Sequence, residues 1–371
     1  MASMKARGSK SPRGTGPTPP DRAISHAIAA SMAHPGAPLS TTAAADERVP
    51  TSWTAFVNSF ASQDWLLIGY LSTILVALFF GKGSNRGACI VHVAGDLGAF
   101  VFVLALVRLQ LLRWGGAASS LIYRFAVMAT LLGTFFQLRE ILPAVSPWAM
   151  DARIYAFDLQ VFGFEPSVWL DQFVKESTTE WFAFFYFLYF LILTVHVLPM
   201  LFWLRDERVL ARFGVGFLMI FLTAHLLYMV VPGWGPYWYL RGTFQHELHG
   251  ATFWPLVREA VDAGGAQKDI FPSLHTAVPT FIAIFSFRNR RLVPFKYSWI
   301  VMAFVATQII IATLFLRWHY LVDVVAGLTL ATTAAFLGPY IADWEIVRRE
   351  RMGIQPSWMP LAYPWTKPSD D

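Results

Sequence analysis

The sequence predicts an all-α fold, a polytopic membrane bundle of about eight transmembrane helices, and two observations carry that expectation. Of 371 residues, 56% are hydrophobic and only 14% charged, against roughly 25% charged residues in soluble domains. The apolar residues also gather into long runs, at approximately 64–81, 89–112, 120–142, 181–204, 209–231, 272–288, 295–316 and 319–342. Each is near the roughly 20 residues that a bilayer crossing requires. The sixth is short by that test, but Phe281-Ile-Ala-Ile-Phe-Ser-Phe287 and the basic residues behind it mark a span rather than a re-entrant segment.

Taken in order, residues 1–50 are rich in Ala, Ser, Pro, Gly, Lys and Arg without an apolar run. Such a stretch buries too little surface to offset its ordering entropy, so a disordered basic tail is expected there. Residues 51–119 hold two leading spans, 120–342 the remaining six, and 343–371 a second tail. The single cysteine, Cys89, excludes an internal disulfide and a cysteine-rich metal cluster. The net charge of +5 resides in tails and loops, which points to topology and anionic lipid, with no nucleic-acid partner expected.

Basic residues near the span ends set orientation. Arg108, Arg113, Arg205, Arg208, Arg212, Arg288, Arg290, Arg291, Lys296, Arg348, Arg349 and Arg351 share one side with the tails. That side is expected to be cytoplasmic, with both termini. The two largest opposite segments, 143–180 and 232–271, then face outward. The first mixes Asp151, Asp158 and Asp171 with Trp148, Phe157 and Trp169, as helices in the headgroup zone do. The second opens with Pro232-Gly-Trp-Gly-Pro-Tyr-Trp-Tyr239, where Gly and Pro forbid a continuous helix and the aromatics suit either the interface or the wall of a lipid site.

Two stretches carry candidate chemistry. Leu314-Phe-Leu-Arg-Trp-His-Tyr-Leu-Val-Asp-Val-Val-Ala-Gly327 puts Arg317, His319 and Asp323 between apolar segments, and ionisable residues at membrane depth mark functional sites. At i and i+4, His319 and Asp323 are expected on one helix face, about one 5.4 Å turn apart, where the carboxylate orients the ring and raises its basicity. A buried ion pair that locks two helices is the alternative. In Lys268-Asp-Ile-Phe-Pro-Ser-Leu-His-Thr276, Ser273 is an N-cap candidate that places His275 in a first helical turn, where N–H groups favour an anion. The span order brings the Gly-Pro-aromatic loop, His275 and His319 to one face.

A Pro-rich loop, Pro-Ser-x-His and a His-x3-Asp pair, in this order between the last spans, resemble the type 2 phosphatidic acid phosphatase superfamily. Phe271-Pro-Ser-Leu-His-Thr276 with Arg317-Trp-His-Tyr320 and Asp323-Val-Val-Ala-Gly327 is most similar to its inositol phosphorylceramide synthase-like, inositolphosphotransferase branch. The resemblance implies a six-helix core over about 120–342, no cofactor, and phosphoryl transfer between membrane lipids through a phosphohistidine. It gives His319 the role of nucleophile, Asp323 that of its orienting partner and His275 that of acid and base. Water as acceptor gives a lipid phosphate or polyprenyl diphosphate phosphatase; a hydroxyl-bearing lipid gives a transferase. A transporter or lipid-binding protein without chemistry is a third reading.

The sequence departs from the phosphatase branch in lacking Lys-x6-Arg-Pro and in placing Thr313 six residues before His319, where that branch has Arg. Positive groups are still required on the phosphate. Arg317, Arg241, Lys268 and Arg139 are the candidates, each also readable as an interfacial anchor. Among the other histidines, His92 and Asp96 are expected to form a structural hydrogen-bonded pair, and His196 and His225 to bond between helices. His246, Glu247 and His249 suggest a solvated loop or, less simply, a site for a divalent metal or a polar headgroup. Zinc on His275, His319 and Asp323 is chemically possible, but the placement at a helix start favours metal-free chemistry, and no metal is expected.

Overall fold

The structure, a computed structural model, describes residues 52–358 and 361 apart from 112–115, 203, 205 and 265–266. The basic N-terminal tail and the end of the C-terminal one lie outside them. The described residues are helical, and their one strand-like feature is an isolated parallel bridge between Gly233 and Asp269. After a short α1 (Trp53–Asn58), the chain forms α2 (Ser62–Phe80), α3 (Arg86–Arg108) and α4 (Gly116–Val145). Short helices α5 (Asp151–Phe162) and α6 (Pro166–Leu170) follow, then α7 (Glu176–Phe202) and α8 (Glu207–Val230). The Gly-Pro-aromatic loop contains α9 (Pro236–Tyr239), and α10 (Phe253–Gly264) precedes α11 (Leu274–Arg288), α12 (Phe295–Phe315) and α13 (Leu321–Met352).

Seven of these helices are long and apolar enough to cross a membrane, rather than eight. The exception is α11, whose 15 residues reach only about 22 Å at 1.5 Å per residue, short of the roughly 30 Å hydrocarbon core. The chain enters it through the segment Lys268–Pro272, which bridges to Gly233 at Asp269, so His275 starts deep in the bundle. Tyr186, ten residues inside α7, stacks on the His275 ring at 4.1 Å, which puts it about 15 Å below the start of α7.

Helix α8 is the axis of the bundle, with two thirds of its apolar window buried (67%). Small residues let its neighbours come close, as membrane helices require when burial from water is no longer the driving force. A Cβ at Gly338 of α13 would lie 2.7 Å from Gly216 Cα, and one at Gly216 would meet Phe281 at 2.7 Å. At the end away from the site, Arg208 and Arg212 bind Asp343 at 3.1 and 2.7 Å, fastening α8 to α13. The leading helices are joined to the core by Tyr70, whose hydroxyl meets His225 Nδ1 at 2.9 Å, the interhelical role expected of that histidine. His196 instead bonds within its own helix, to the Ile192 carbonyl at 2.9 Å. The expected His92–Asp96 pair does not form: Asp96 accepts from Gln137 of α4 at 2.7 Å, and His92 is exposed.

Helices α11 and α13 meet at Gly327, the last residue of the second motif. A Cβ there would stand 2.6 Å from the Ser273 carbonyl oxygen and 3.1 Å from Thr276 Cβ. We expect Gly327→Val to separate the two motifs and lower stability by about 1–3 kcal/mol through overpacking. Thermal unfolding in detergent checks this, and an unchanged midpoint would show that the approach is not tight.

Candidate active site

Short-range chemistry places each histidine. Ser273 adopts extended dihedrals, and its hydroxyl accepts from Thr276 N at 3.2 Å, capping α11 so that His275 occupies the first turn. The Ser273 amide donates to the Asp323 carbonyl at 3.1 Å, tying the first motif to the second. His319 is not on a helix face. It lies in the turn before α13, and Asp323, in the first turn of that helix, reaches back to it. Asp323 Oδ2 accepts the Tyr320 amide at 2.9 Å and stands 3.5 Å from His319 Nδ1. The pairing of His319 with Asp323 is thus that of a helix cap, with His319 Nδ1 free of any other partner. Asp323 Oδ2 thus faces Nδ1.

His275 and His319 approach to 6.4 Å between ring centroids. The His275 ring is held by Tyr186 and by Tyr189, 4.1 and 4.2 Å away between centroids. Both histidines line a cavity of about 1070 Å³ together with Asp269, Trp318, Arg241 and Arg258. Burial pushes the Asp269 carboxyl above its ordinary range, and the neighbouring His319 opposes that shift.

The outer segment 143–180 holds this site rather than merely lying in the interface. Asp151 and Asp158 are buried, and both accept backbone N–H groups from the loops that carry the motifs. Asp151 takes Trp234 N and Gly235 N at 3.0 and 2.9 Å and the Tyr320 hydroxyl at 3.1 Å. Asp158 takes Leu321 N and Val322 N at 2.7 and 3.0 Å, capping α13 directly behind His319. Glu180 does the same for α10, accepting from Phe253 N at 2.8 Å. Gly235, at φ 84°, is needed for close approach: a Cβ there would lie 2.5 Å from the Trp318 carbonyl oxygen. The Gly-Pro-aromatic loop therefore packs against both motif segments, as the span order predicts.

The four phosphate-binding candidates separate. Arg241 lines the cavity. Arg317 does not: it binds Asp171 Oδ1 and the His246 carbonyl, each at 2.6 Å, and covers the Phe244 ring at 3.9 Å. A left-handed backbone, φ 66°, turns it away where α12 ends. Lys268 is likewise diverted, donating to the Pro147 and Trp148 carbonyls at 3.0 and 3.1 Å, and burial lowers its amine below the ordinary range. Arg139 is exposed near the end of α4, outside the cavity lining. Thr313, at the position of the missing arginine, is fully buried and bonds to the Ile310 carbonyl at 2.7 Å.

One cation that the sequence reading passed over is Arg258 of α10. It lies against Tyr237, Trp238 and Trp254, donates to the Tyr237 hydroxyl and lines the cavity. The His246 cluster is split, since His246 pairs with Asp171 at 3.2 Å while His249 and Glu247 face each other in the exposed loop. Among the described residues no group of three or more His, Cys, Asp or Glu side chains is arranged to hold a metal ion.

Seven apolar helices around a polar cluster set inside the bundle define an integral, multi-pass membrane protein. The sequence profile of the PAP2 superfamily matches residues 152–337, half of the chain and the part that holds both motifs, and the protein belongs to that superfamily. Membership supports a lipid phosphatase or phosphotransferase type of function. No curated protein and no solved structure matches the chain.

Proposed function

We propose that the protein is a lipid phosphotransferase of the inositol phosphorylceramide synthase-like kind, working through a phosphohistidine at the outer membrane face. The observation that carries this reading is the approach of His275 to His319, 6.4 Å between centroids, with Asp323 behind His319. His319 Nε2 attacks the phosphorus of a phospholipid headgroup, a P–N bond forms, and the P–O bond to the diacylglycerol breaks. His275 gives the departing oxygen its proton. In the second half, His275 takes the proton of an acceptor hydroxyl, whose oxygen attacks phosphorus and releases His319. Two steps through an activated nucleophile need this division of labour.

Arg241 and Arg258 are the cations placed to neutralise the phosphoryl oxygens. Removing one such donor costs about 10²–10³-fold in enzymes of known mechanism. Arg258→Ala is expected to lower kcat/KM by about 10²-fold, and Arg258→Lys to recover little of it, since Lys lacks the planar fork and stacks poorly on Trp254 and Tyr237. Undiminished kcat/KM in Arg258→Ala would remove it from the clamp. The loss of the phosphatase branch's arginine at Thr313, now a buried and internally bonded position, favours transfer over hydrolysis.

Purified protein incubated with radiolabelled phosphoinositide or phosphatidic acid, with and without ceramide, tests the reading. A labelled phospholipid that forms only with the acceptor is expected. Free phosphate regardless of acceptor would instead establish the phosphatase. The outer placement of the site rests on the basic residues of the opposite face. A cysteine at Gly242 in a Cys89→Ser background should react with an impermeant reagent from outside, and labelling only from the cytoplasm would reverse the orientation.

A further inference from the structure

The cavity does not end at the histidines. It continues between α4, α7 and α8, where Met128, Leu132, Phe136, Leu193, Phe217 and Phe221 line it. Its polar lining, Arg241, Arg258, Asp262, Gln267, Asp269 and the two histidines, lies at the other end. From Tyr228, at the polar end of α8, to Phe217 is eleven residues, or about 16 Å of helix. That is close to half of the roughly 30 Å hydrocarbon thickness, the depth of one leaflet.

The apolar part also has a side opening. Leu132 and Phe136 of α4 and Phe190 of α7 line the cavity and are nevertheless 45%, 63% and 42% exposed on the surface of the bundle. Opposite them, Leu131, Phe217 and Phe221 are 3%, 5% and 9% exposed and form the inner wall. A slot whose lips face hydrocarbon and whose floor is apolar has no polar partners for water. At about 1070 Å³ the whole cavity slightly exceeds the roughly 300–1,000 Å³ of ordinary ligand pockets, space for a headgroup and a chain together. Helix α4 precedes residue 152, where the family match begins, so this wall belongs to the chain outside the shared segment.

We infer that α4 closes a compartment for an acyl chain of the lipid substrate, entered sideways from the leaflet, and that Met128, Leu193 and Phe217 at its far end set the accepted chain length. The inference rests on the proposed phosphotransfer at His319, because the chain hangs from the phosphate held there. Two readouts keep the two apart. The first needs no turnover: phosphatidic acid with a diazirine near the end of one acyl chain is photo-crosslinked to the reconstituted protein. Adducts concentrated on Met128, Leu132 and Leu193, and competed by unlabelled phosphatidic acid, are expected. Labelling no stronger there than at the exposed Phe102 of α3 would mean ordinary boundary lipid and overturn the compartment.

The second readout is selectivity. Met128→Trp fills the far end, so the ratio of kcat/KM for dioleoyl over dioctanoyl donors should fall about tenfold, as pocket contacts of a few methylenes allow. An unchanged ratio in an active, folded variant would overturn the ruler. If no phospholipid is turned over by the wild type, the proposed reaction fails while the crosslinking result still decides whether a chain occupies the slot.

Discussion

His319→Ala is expected to abolish turnover, by about 10⁴-fold or more, since losing the nucleophile of a coupled catalytic set removes the covalent route altogether. The fold should survive. His319 lies in the turn between α12 and α13, its Nδ1 has no hydrogen-bond partner, and the caps of α13 come from Asp158 and Asp323 instead. The melting profile should therefore stay near the wild type while product formation disappears. Retained activity in a folded His319→Ala protein would sink the assignment, and with it the choice of an enzyme over a transporter. Asp323 is a less clean target, because its carboxylate also accepts the Tyr320 amide at 2.9 Å, so removing it mixes catalysis with capping.

The second large effect is at His275, and it depends on the substrate. As proton donor to the departing oxygen, His275 contributes about 10²–10⁴-fold when the leaving group is a poor one. With a natural phospholipid, His275→Ala should lose that full factor. With nitrophenyl phosphate the leaving group departs without protonation, and the loss should shrink to about tenfold or less. Equal losses on both substrates would show that His275 positions the phosphate or the tyrosine pair instead. The stacking of Tyr186 and Tyr189 on its ring makes that alternative a concrete one, and the leaving-group comparison separates the two.

Much of this architecture is legible in the sequence because it depends on local rules. The apolar runs match most of the long helices closely, although α13 continues to Met352, past the run 319–342 and into the expected tail, and Ser273 caps α11 as its residue type suggests. The convergence of the two motifs with the Gly-Pro-aromatic loop follows from counting spans. What was not legible depends on partners far along the chain. Arg317 lies two residues from His319, yet Asp171, 146 positions earlier, draws it out of the site. Lys268 is taken by two carbonyls before α5, and Arg258, which lines the cavity with Arg241, lies on α10.

The partners of the buried carboxylates are hidden for a related reason. Asp151 and Asp158 are seven apart and share a face of α5, a spacing that marks two acceptors aimed the same way. Composition suggested an interfacial helix, but the loop amides that need those acceptors follow some 80 to 170 residues later. The geometry of His319 was likewise hidden, because a His-x3-Asp spacing fits both a helix face and a residue just outside a helix cap. The shortness of α11 was visible in the run 272–288; its consequence, a site set about 15 Å inside the bundle, was not.

The most direct measurement is to trap the intermediate. Protein mixed with a donor labelled at phosphorus and quenched in base should retain label on a peptide containing residue 319, stable to base and released by mild acid, as a phosphoramidate is. His319→Ala should retain none, and addition of the lipid alcohol before quenching should discharge the label from the wild type into a phospholipid. Absence of label from a wild-type enzyme that turns over, or label on any peptide without His319, would contradict covalent catalysis by this histidine.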